Sequence, residues 1–330
     1  MTRLRVLVAV ARHGSVTAAA RSLNYAQPSV SHHLARLEAE TGATLTQRSG
    51  RGIRLTDAGR LLAGRAEEIL GRLDAAEREL AAHVEQRQER IRLAVFASAL
   101  ATIVPAALSR LAAGHPGIDL LLAEAEPPEA MRMLRAGQVD VALVSRHTQN
   151  GTPVGPAAAE GARTRLILDE QVHLVTRPRQ RGTQPAAQPG GGAPAPSEAG
   201  APDLAAHAHS PWIAGCEHCR GHLIWLCQHA GFSPKIAFTT DDHVAAQALV
   251  AAGLGVTILP GLAINAARHP GIRAQPLPGA WRQVLAVTYG QPPDPRAVDH
   301  LLDILTLAAA ATATGSGAQS PGGGAGAGVA

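Results

Sequence analysis

The chain has 330 residues, with 30 Lys and Arg against 26 Asp and Glu, enough for about two domains and for a core that folds without disulfide or metal. No apolar run reaches the roughly 18 residues of a membrane helix. The N-terminus lacks the apolar stretch and cleavage site of a secretory signal, and three cysteines clustered at 216–227 make no disulfide framework, so the composition excludes a membrane protein and favours a reducing cytoplasm.

Lys235 is the one lysine among the thirty basic residues, and aromatics are only 2% of the chain. The core is therefore built from Leu, Val, Ile and Ala, and any single arginine carries less weight than usual. Charge is unevenly spread. Residues 1–60 hold nine arginines against Glu38, Glu40 and Asp57, a surplus of six, whereas the remaining 270 residues sum to minus two. A small basic unit on a near-neutral larger one points to a polyanionic partner for the small one.

In chain order, residues 4–14 have helical apolar spacing and end at Gly14. A second helix over 15–23 opens on Ser15 as N-cap, and Asn24 supplies a turn. The third helix, 27–42, carries Pro28 in its first turn, where a missing N–H costs nothing. Val30, Leu34 and Leu37 line its inner face, and Leu23 and Tyr25 join them in the expected core. Gln27, Ser29, His32, His33 and Arg36 are left outside. Residues 44–56 read as strand, basic glycine turn and strand, a wing whose Arg48, Arg51 and Arg54 suit phosphate. This is the pattern of a helix-turn-helix reading base edges in a groove.

From Asp57 to Arg90 there is no proline. Leu62, Ala66, Ile69, Leu73, Ala76, Leu80 and His83 step by fours and threes, a heptad seam that predicts a long dimerising helix. Beyond it strands and helices alternate: strands at 91–97, 118–125, 139–145, 164–170, 171–178, 211–215, 235–240, 255–260 and 282–290, helices at 99–113, 128–136, 217–230, 242–252 and 295–311. Alternation of this kind predicts α/β sheets with helices on both faces. A Gly, Ala, Pro and Gln-rich insertion at 179–202 interrupts it, and a Gly/Ala/Ser tail at 312–330 is expected to be disordered.

The stretch GSVTAAARSLNYAQPSVSHHLARLEAETGATLTQRSGRGIRLTDAG, with AA-x-x-L, QP-S-V-S, L-x-x-LE and R-x-G-R-G-x-x-LT-x-AG in order, resembles the DNA-binding domain of LysR-type transcriptional regulators. HPGIDLLLAE, LRAGQVDVALV and VAAGLGVTILP resemble the effector domain of the same family, so the likeness covers roughly residues 1–310. It implies a winged helix-turn-helix at 1–58, a dimerisation linker helix at 59–90 and an effector-binding domain at 91–311. That domain would hold two Rossmann-like subdomains of periplasmic-binding-protein type, one from about 91–168 and 265–311, the other from about 169–264. The partners implied are double-stranded DNA, a small-molecule effector, further copies in a homodimer or homotetramer and RNA polymerase, with no cofactor and no membrane. Gln27, Pro28, Ser29, Ser31, His32, His33, Arg36, Arg48, Arg51 and Arg54 are the DNA-binding candidates. Ser98, Ser145, His147, Cys216 and Thr239 are the effector-binding candidates: the likeness puts Ser98 in the loop after the first strand, facing the cleft, Ser145 and His147 after the third strand, and Cys216 and Thr239 at the edge of the second subdomain. His32 stands where the family has Arg, and Thr46 where it has an aromatic that anchors the wing.

Other readings stay on the page. GLGVTI at 253–258 lacks the third glycine of a dinucleotide loop and leads into a strand, and neither a nucleophile elbow nor a P-loop occurs. No catalytic residue is expected, although a small-molecule-binding or enzymatic α/β protein with a degenerate DNA-binding domain is the rival of another class. A metal- or redox-responsive regulator would use Cys216, Cys219, His222 and Cys227, with His218 or His229 as substitutes. Cys227 lies eight residues past Cys219, about 12 Å along a helix. One helix cannot bring Cys216, Cys219 and Cys227 onto one ion, so no metal is expected.

Imidazole cannot make the bidentate guanine contact that Arg makes. His32→Arg is therefore expected to tighten operator binding by about tenfold or shift its base preference, read by a binding titration over a base-substitution panel. Unchanged affinity across the panel would show that position 32 reads no sequence.

Overall fold

The structure is a computed structural model and describes residues 1–49, 52–85, 89–149, 152–154, 161–178, 202–290 and 294–315. The expected insertion at 179–202 lies outside these residues except for its last position. The elements in chain order are α1 (Thr2–His13), α2 (Val16–Ser22), α3 (Gln27–Thr41), β1 (Thr46–Ser49), β2 (Gly52–Leu55), α4 (Asp57–Glu85), β3 (Glu89–Val95), α5 (Ala97–Leu100), α6 (Ile103–Gly114), β4 (Ile118–Glu124), α7 (Pro127–Arg135), β5 (Val141–Gln149) and β6 (Thr152–Val154). They continue as β7 (Ala162–Thr176), a 3-10 turn (Ala205–His207), β8 (Pro211–Ala214), α8 (Glu217–His229), β9 (Lys235–Thr239), α9 (His243–Ala251), β10 (Thr257–Pro260), α10 (Gly261–Ala266), β11 (Arg273–Tyr289) and α11 (Arg296–Gly315). Two compact units result, one from Met1–Ala94, Pro116–Ala142 and Thr288–Pro293, the other from Val95–His115, Leu143–Val287 and Asp294–Ala330.

In the first unit, α1, α2 and α3 close on Val6, Leu7, Val10, Ala19, Ala20, Val30, Leu34 and Leu37, all buried. The small Ala19 and Ala20 allow the helices to cross closely. Ser15 caps α2, its hydroxyl accepting from the Ala18 amide at 3.3 Å. Asn24 takes the turn at a φ of 54°. Tyr25, expected in this core, is 42% exposed. It sits between the turn and α3, on the outer side of the helix pair, and its ring lies 6.0 Å from that of His33.

The wing is an antiparallel pair with Thr46 opposite Leu55. Its anchor is polar. One carboxylate oxygen of Glu38 accepts from the amides of Leu45 at 2.8 Å and Thr46 at 2.9 Å and from the Thr46 hydroxyl at 3.1 Å. Thr56 ties the far end: its amide donates to the Leu45 carbonyl, its hydroxyl donates to the Thr44 carbonyl at 2.7 Å and accepts from the Gly59 amide at 3.0 Å. A β-carbon on Gly59 would overlap the Leu45 carbonyl oxygen, which explains the glycine in the LT-x-AG stretch.

The long helix α4 ends at Glu85, and β3 has begun by Glu89, one residue before the linker helix was expected to finish. Ala63, Ala66 and Leu70 are buried, with Ala66 and Leu70 packed against Val8 of α1. Further along, Gly71 meets the end of α7 so closely that a β-carbon on Gly71 would overlap the Ala136 carbonyl group. β3 lies between β4 and the start of β5, pairing parallel to the latter with Leu93 opposite Val141.

In the second unit, β10, β7, β11 and the remainder of β5 are neighbours in that order, and β6 folds back on β5. β8 pairs parallel to β9, and Trp212 bridges to Val256. Trp212, Leu223, Leu226 and Cys227 share one buried cluster, so Cys227 serves as a small hydrophobe.

Four boundaries differ from expectation. Residues 99–113 form two helices, since Thr102 leaves helical geometry and its hydroxyl donates to the Ser98 carbonyl at 2.6 Å. The restart places Pro105 in the first turn of α6, where it is tolerated. The strands expected at 164–170 and 171–178 are one, β7 (Ala162–Thr176), because the carboxylate of Glu170 is buried and bonded to Arg282 and the Leu262 amide rather than turned to solvent. β11 starts at Arg273, upstream of Pro276 and Pro278, which had masked its pattern. α11 continues to Gly315 through an alanine-rich stretch, so the expected tail at 312–330 begins as helix and its remainder from 316 lies outside the described residues.

Glu38→Ala strips two amides of their acceptor and is expected to destabilise the wing by about 1–3 kcal/mol, whereas Glu38→Gln keeps an acceptor oxygen and costs less. Hydrogen exchange at the Leu45 and Thr46 amides checks this, and equal protection in all three proteins would refute the anchor.

Candidate functional site

On α3 the inner positions Val30, Leu34 and Leu37 recur at spacings of four and three. That leaves Gln27, Pro28, Ser29, Ser31, His32 and Arg36 exposed along the opposite side, with His33 half-buried beside them. Arg54 is exposed on β2. The Arg48 side chain and all of Arg51 lie outside the described residues. The basic surplus is sorted by pairing. Arg3 meets Glu40 at 2.7 Å, Arg5 meets Asp74 at 3.3 Å, Arg12 meets Glu67 at 2.6 Å, and Arg60 meets Asp57. Arg21, Arg36 and Arg54 are exposed and make no ion pair among the described residues. Uncompensated positive charge is thus found on α3, the end of α2 and the wing.

The second cluster lies in the α/β unit. Arg282 of β11 is 3% exposed. Its Nε donates to Glu170 Oε1 at 2.6 Å, its Nη2 donates to the Ser98 hydroxyl at 3.0 Å, and its guanidinium lies 5.0 Å from the Phe96 ring centre. The other Glu170 oxygen accepts from the Leu262 amide at 2.6 Å. Ser145 and His147 stand two apart on β5 and are buried. The His147 ring stacks on His222 at 3.9 Å and on His218 at 5.1 Å, both on α8. Burial drives the His147 pKa well below the ordinary imidazole range, with the charges of His222 and Arg282 adding to it. Burial also lowers His218 and brings His222 down to about 4. All three are therefore neutral near pH 7.

Cys216 caps α8, its sulfur accepting from the Cys219 amide at 3.5 Å, and the two sulfurs lie 3.2 Å apart. Burial raises the Cys227 thiol to about 12. Among the described residues, no three His, Cys, Asp or Glu side chains stand ready to hold a metal ion.

Two family models match the chain: the LysR substrate binding domain over residues 85–310 and the bacterial regulatory helix-turn-helix protein of the lysR family over residues 1–60. The chain is a LysR-type transcriptional regulator. The regulator is 30% identical over 291 residues to the HTH-type transcriptional regulator TfdS of Cupriavidus pinatubonensis, covering 87% of this chain and 91% of TfdS. It is 29% identical over 275 residues to the uncharacterized HTH-type transcriptional regulator YcgK of Bacillus subtilis, covering 80% of each. Its fold is that of full-length CbnR complexed with its target DNA, with a TM-score of 0.56 at 22% identity, covering 93% of this chain and 99% of CbnR.

The five effector candidates of the regulator are not equivalent. Ser98 sits inside α5, not in a loop, and its hydroxyl accepts from Arg282. Ser145 and His147 lie on β5 rather than after it, because that strand runs on to Gln149. Cys216 caps the helix that carries His218 and His222. Thr239 is exposed, opposite Ala214 in the β8–β9 register. Glu170 and Arg282 were missed. Each reads as an ordinary charged residue within a strand pattern, and only the long-range pairing of β7 with β11 reveals them.

A base whose pKa is lowered by folding is fully stabilising above its unfolded value of about 6.5, and that stability is lost as pH falls toward the folded value. For His222 the window is about 6.5 down to about 4. Wild type is expected to lose on the order of 1–3 kcal/mol more than His222→Asn between pH 7.5 and 4.5, read from thermal melts. Parallel pH profiles for the two proteins would contradict the burial of a neutral His222.

Proposed function

We propose that this regulator reads operator DNA with the exposed side of α3, Gln27 through Arg36, while the wing arginines Arg48, Arg51 and Arg54 hold phosphate. The observation that carries this reading is the coincidence of the exposed polar row on α3 with Arg36 and Arg54, which make no ion pair among the described residues. CbnR, similar in fold, is a LysR family regulator seen on its target DNA, which supports the same use here. The labour is divided as 1–58 for DNA, the following long helix for self-association in a dimer or tetramer, and the α/β region to residue 311 for a small effector. Ser145, His147 and Cys216 are the effector contacts best supported, since His147 stacks on His218 and His222 of the helix that Cys216 caps, and Ser145 is buried two residues before it on β5. Ser98 positions Arg282 in this scheme, and Thr239 stands at the rim. The protein acts by binding rather than turnover, in the cytoplasm where its DNA target lies.

Arginine–phosphate contacts release counterions, so affinity should fall steeply with salt. Arg36→Ala and Arg54→Ala are each expected to reduce the slope of log K against log salt by about 1 while weakening binding uniformly across sequences. Fluorescence anisotropy on the upstream DNA of its own gene measures both, and a slope unaffected by either substitution would remove those residues from the phosphate contacts.

A further inference from the structure

Two cysteines come together at the start of α8. Cys216 is the N-cap and Cys219 the third helical residue, both are half-buried, and their sulfurs lie 3.2 Å apart. The Cys219 amide donates to the Cys216 sulfur at 3.5 Å. Gly215 leaves room beside them: a β-carbon there would stand 3.2 Å from the Cys219 β-carbon and 3.8 Å from its sulfur. α8 connects β8 to β9, which pair in parallel with Ala214 opposite Thr239. The unit is thus strand, helix and parallel strand with Cys-x-x-Cys on the first helical turn, the placement in which such a pair is redox-active. Cys227 lies about two turns further on, wholly buried, and burial holds its thiol protonated.

This geometry divides the roles. A helix N-terminus favours a thiolate over a thiol, and the sulfur at the cap is the one that receives the amide, so Cys216 is the nucleophile. Cys219 is the resolving group, because side-chain rotation need only bring the two sulfurs to about 2.05 Å to make the bond. In a reducing compartment such a bond is transient, which suits a signal rather than a structural link. We propose that Cys216 and Cys219 form a dithiol–disulfide couple that exchanges with small-molecule disulfides, and that its redox state is a second input to the regulator. The first half stands on the cysteine geometry alone. The second rests on the effector reading of the α/β region, since α8 also carries His218 and His222, whose rings stack on His147 of β5.

In the exchange, the Cys216 thiolate attacks one sulfur of the small disulfide RSSR, forming Cys216–S–S–R and expelling RS⁻. Cys219 loses its proton to solvent, and its sulfur attacks that of Cys216, closing the Cys216–Cys219 disulfide and expelling the second RS⁻. Two electrons pass from the dithiol to RSSR, and the two protons released by the cysteines are balanced by those taken up as two RSH form. Excess RSH drives the same steps backward.

The test uses the full-length chain, reduced and then freed of reductant, with glutathione disulfide as the probe. Wild type is expected to become lighter by two hydrogens with no lasting adduct. Cleavage after Arg220 should leave the link within the peptide that holds Cys216 and Cys219, with Cys227 still a thiol, a reading that depends on no variant folding. A wild type that stays a dithiol, retains a glutathione or links Cys227 overturns the couple. Closure by hydrogen peroxide but not by glutathione disulfide overturns the exchange chemistry. Cys219→Ser should hold a stable adduct on Cys216, and Cys216→Ser should react about tenfold more slowly; equal rates overturn Cys216 as the nucleophile. Operator affinity is then compared between oxidised and reduced protein. A change of about fivefold or more is expected in wild type and none in the variant carrying both Cys216→Ser and Cys219→Ser. Unchanged affinity in wild type overturns the regulatory half alone, whereas DNA binding absent in both redox states overturns the DNA-reading surface and leaves the thiol exchange intact.

Discussion

A guanidinium buried inside an α/β unit is untenable unless its charge is answered on the spot. Arg282 meets that demand through Glu170, and the arrangement spreads from there. The second oxygen of Glu170 holds the Leu262 amide within α10, the remaining reach of Arg282 holds the Ser98 hydroxyl on α5, and Phe96 lies under the guanidinium. β7, β11, α5 and α10 are thus fixed by one ion pair, the kind whose disruption by removing one partner costs about 3–5 kcal/mol. The positive charge also reaches sideways. It helps keep His147, His218 and His243 unprotonated, after burial as the larger cause for each. Burial is the main reason the imidazole cluster is neutral, and the charge of Arg282 adds to it at His147 and His218.

The DNA-binding half was legible in sequence because its determinants are local. Ser15, Asn24, Pro28 and the two glycines that end α1 and α3 each act within a few residues of where they stand, and the structure uses each as a cap, turn or stop. The α/β half was legible as alternation but not in its joints. A buried Glu170 in the middle of a strand looks like a turn until Arg282 is known to face it. Thr102 and Pro105 between two apolar stretches look like one helix until the hydroxyl is seen to close the first. The histidine cluster was half visible. His222 was considered with cysteines on its own helix, and His147 was considered alone on its strand. Joining them needs the placement of β5 against α8, which no local pattern encodes.

Thr46 shows how a departure from a family pattern is absorbed. An aromatic at this position would anchor the wing by burial. Here the short hydroxyl lets the Glu38 carboxylate approach two consecutive amides as well as the hydroxyl itself. A charged acceptor of this kind makes hydrogen bonds roughly twice as strong as neutral ones. The wing therefore keeps its place on α3 with an electrostatic tie in place of an apolar one. Glu38, one of three acids in the basic N-terminal region, makes its bonds to the wing backbone and Thr46 rather than to an arginine.

The apolar stripe on α4 is where the heptad reading and the structure divide. Ala66, counted in the seam, is wholly buried with Leu70 against α1, and Leu62 packs on the same three-helix core. Ile69 and Leu80, counted in the same seam, are 51% and 64% exposed, and Leu61, outside it, is 68% exposed. A single stripe cannot serve both neighbours. The first turns of α4 use their seam positions within the chain, and the apolar side chains they leave uncovered are Ile69 and, further on, Leu80. The sequence period alone cannot separate these uses, because burial by α1 and burial by a partner helix demand the same spacing of apolar residues.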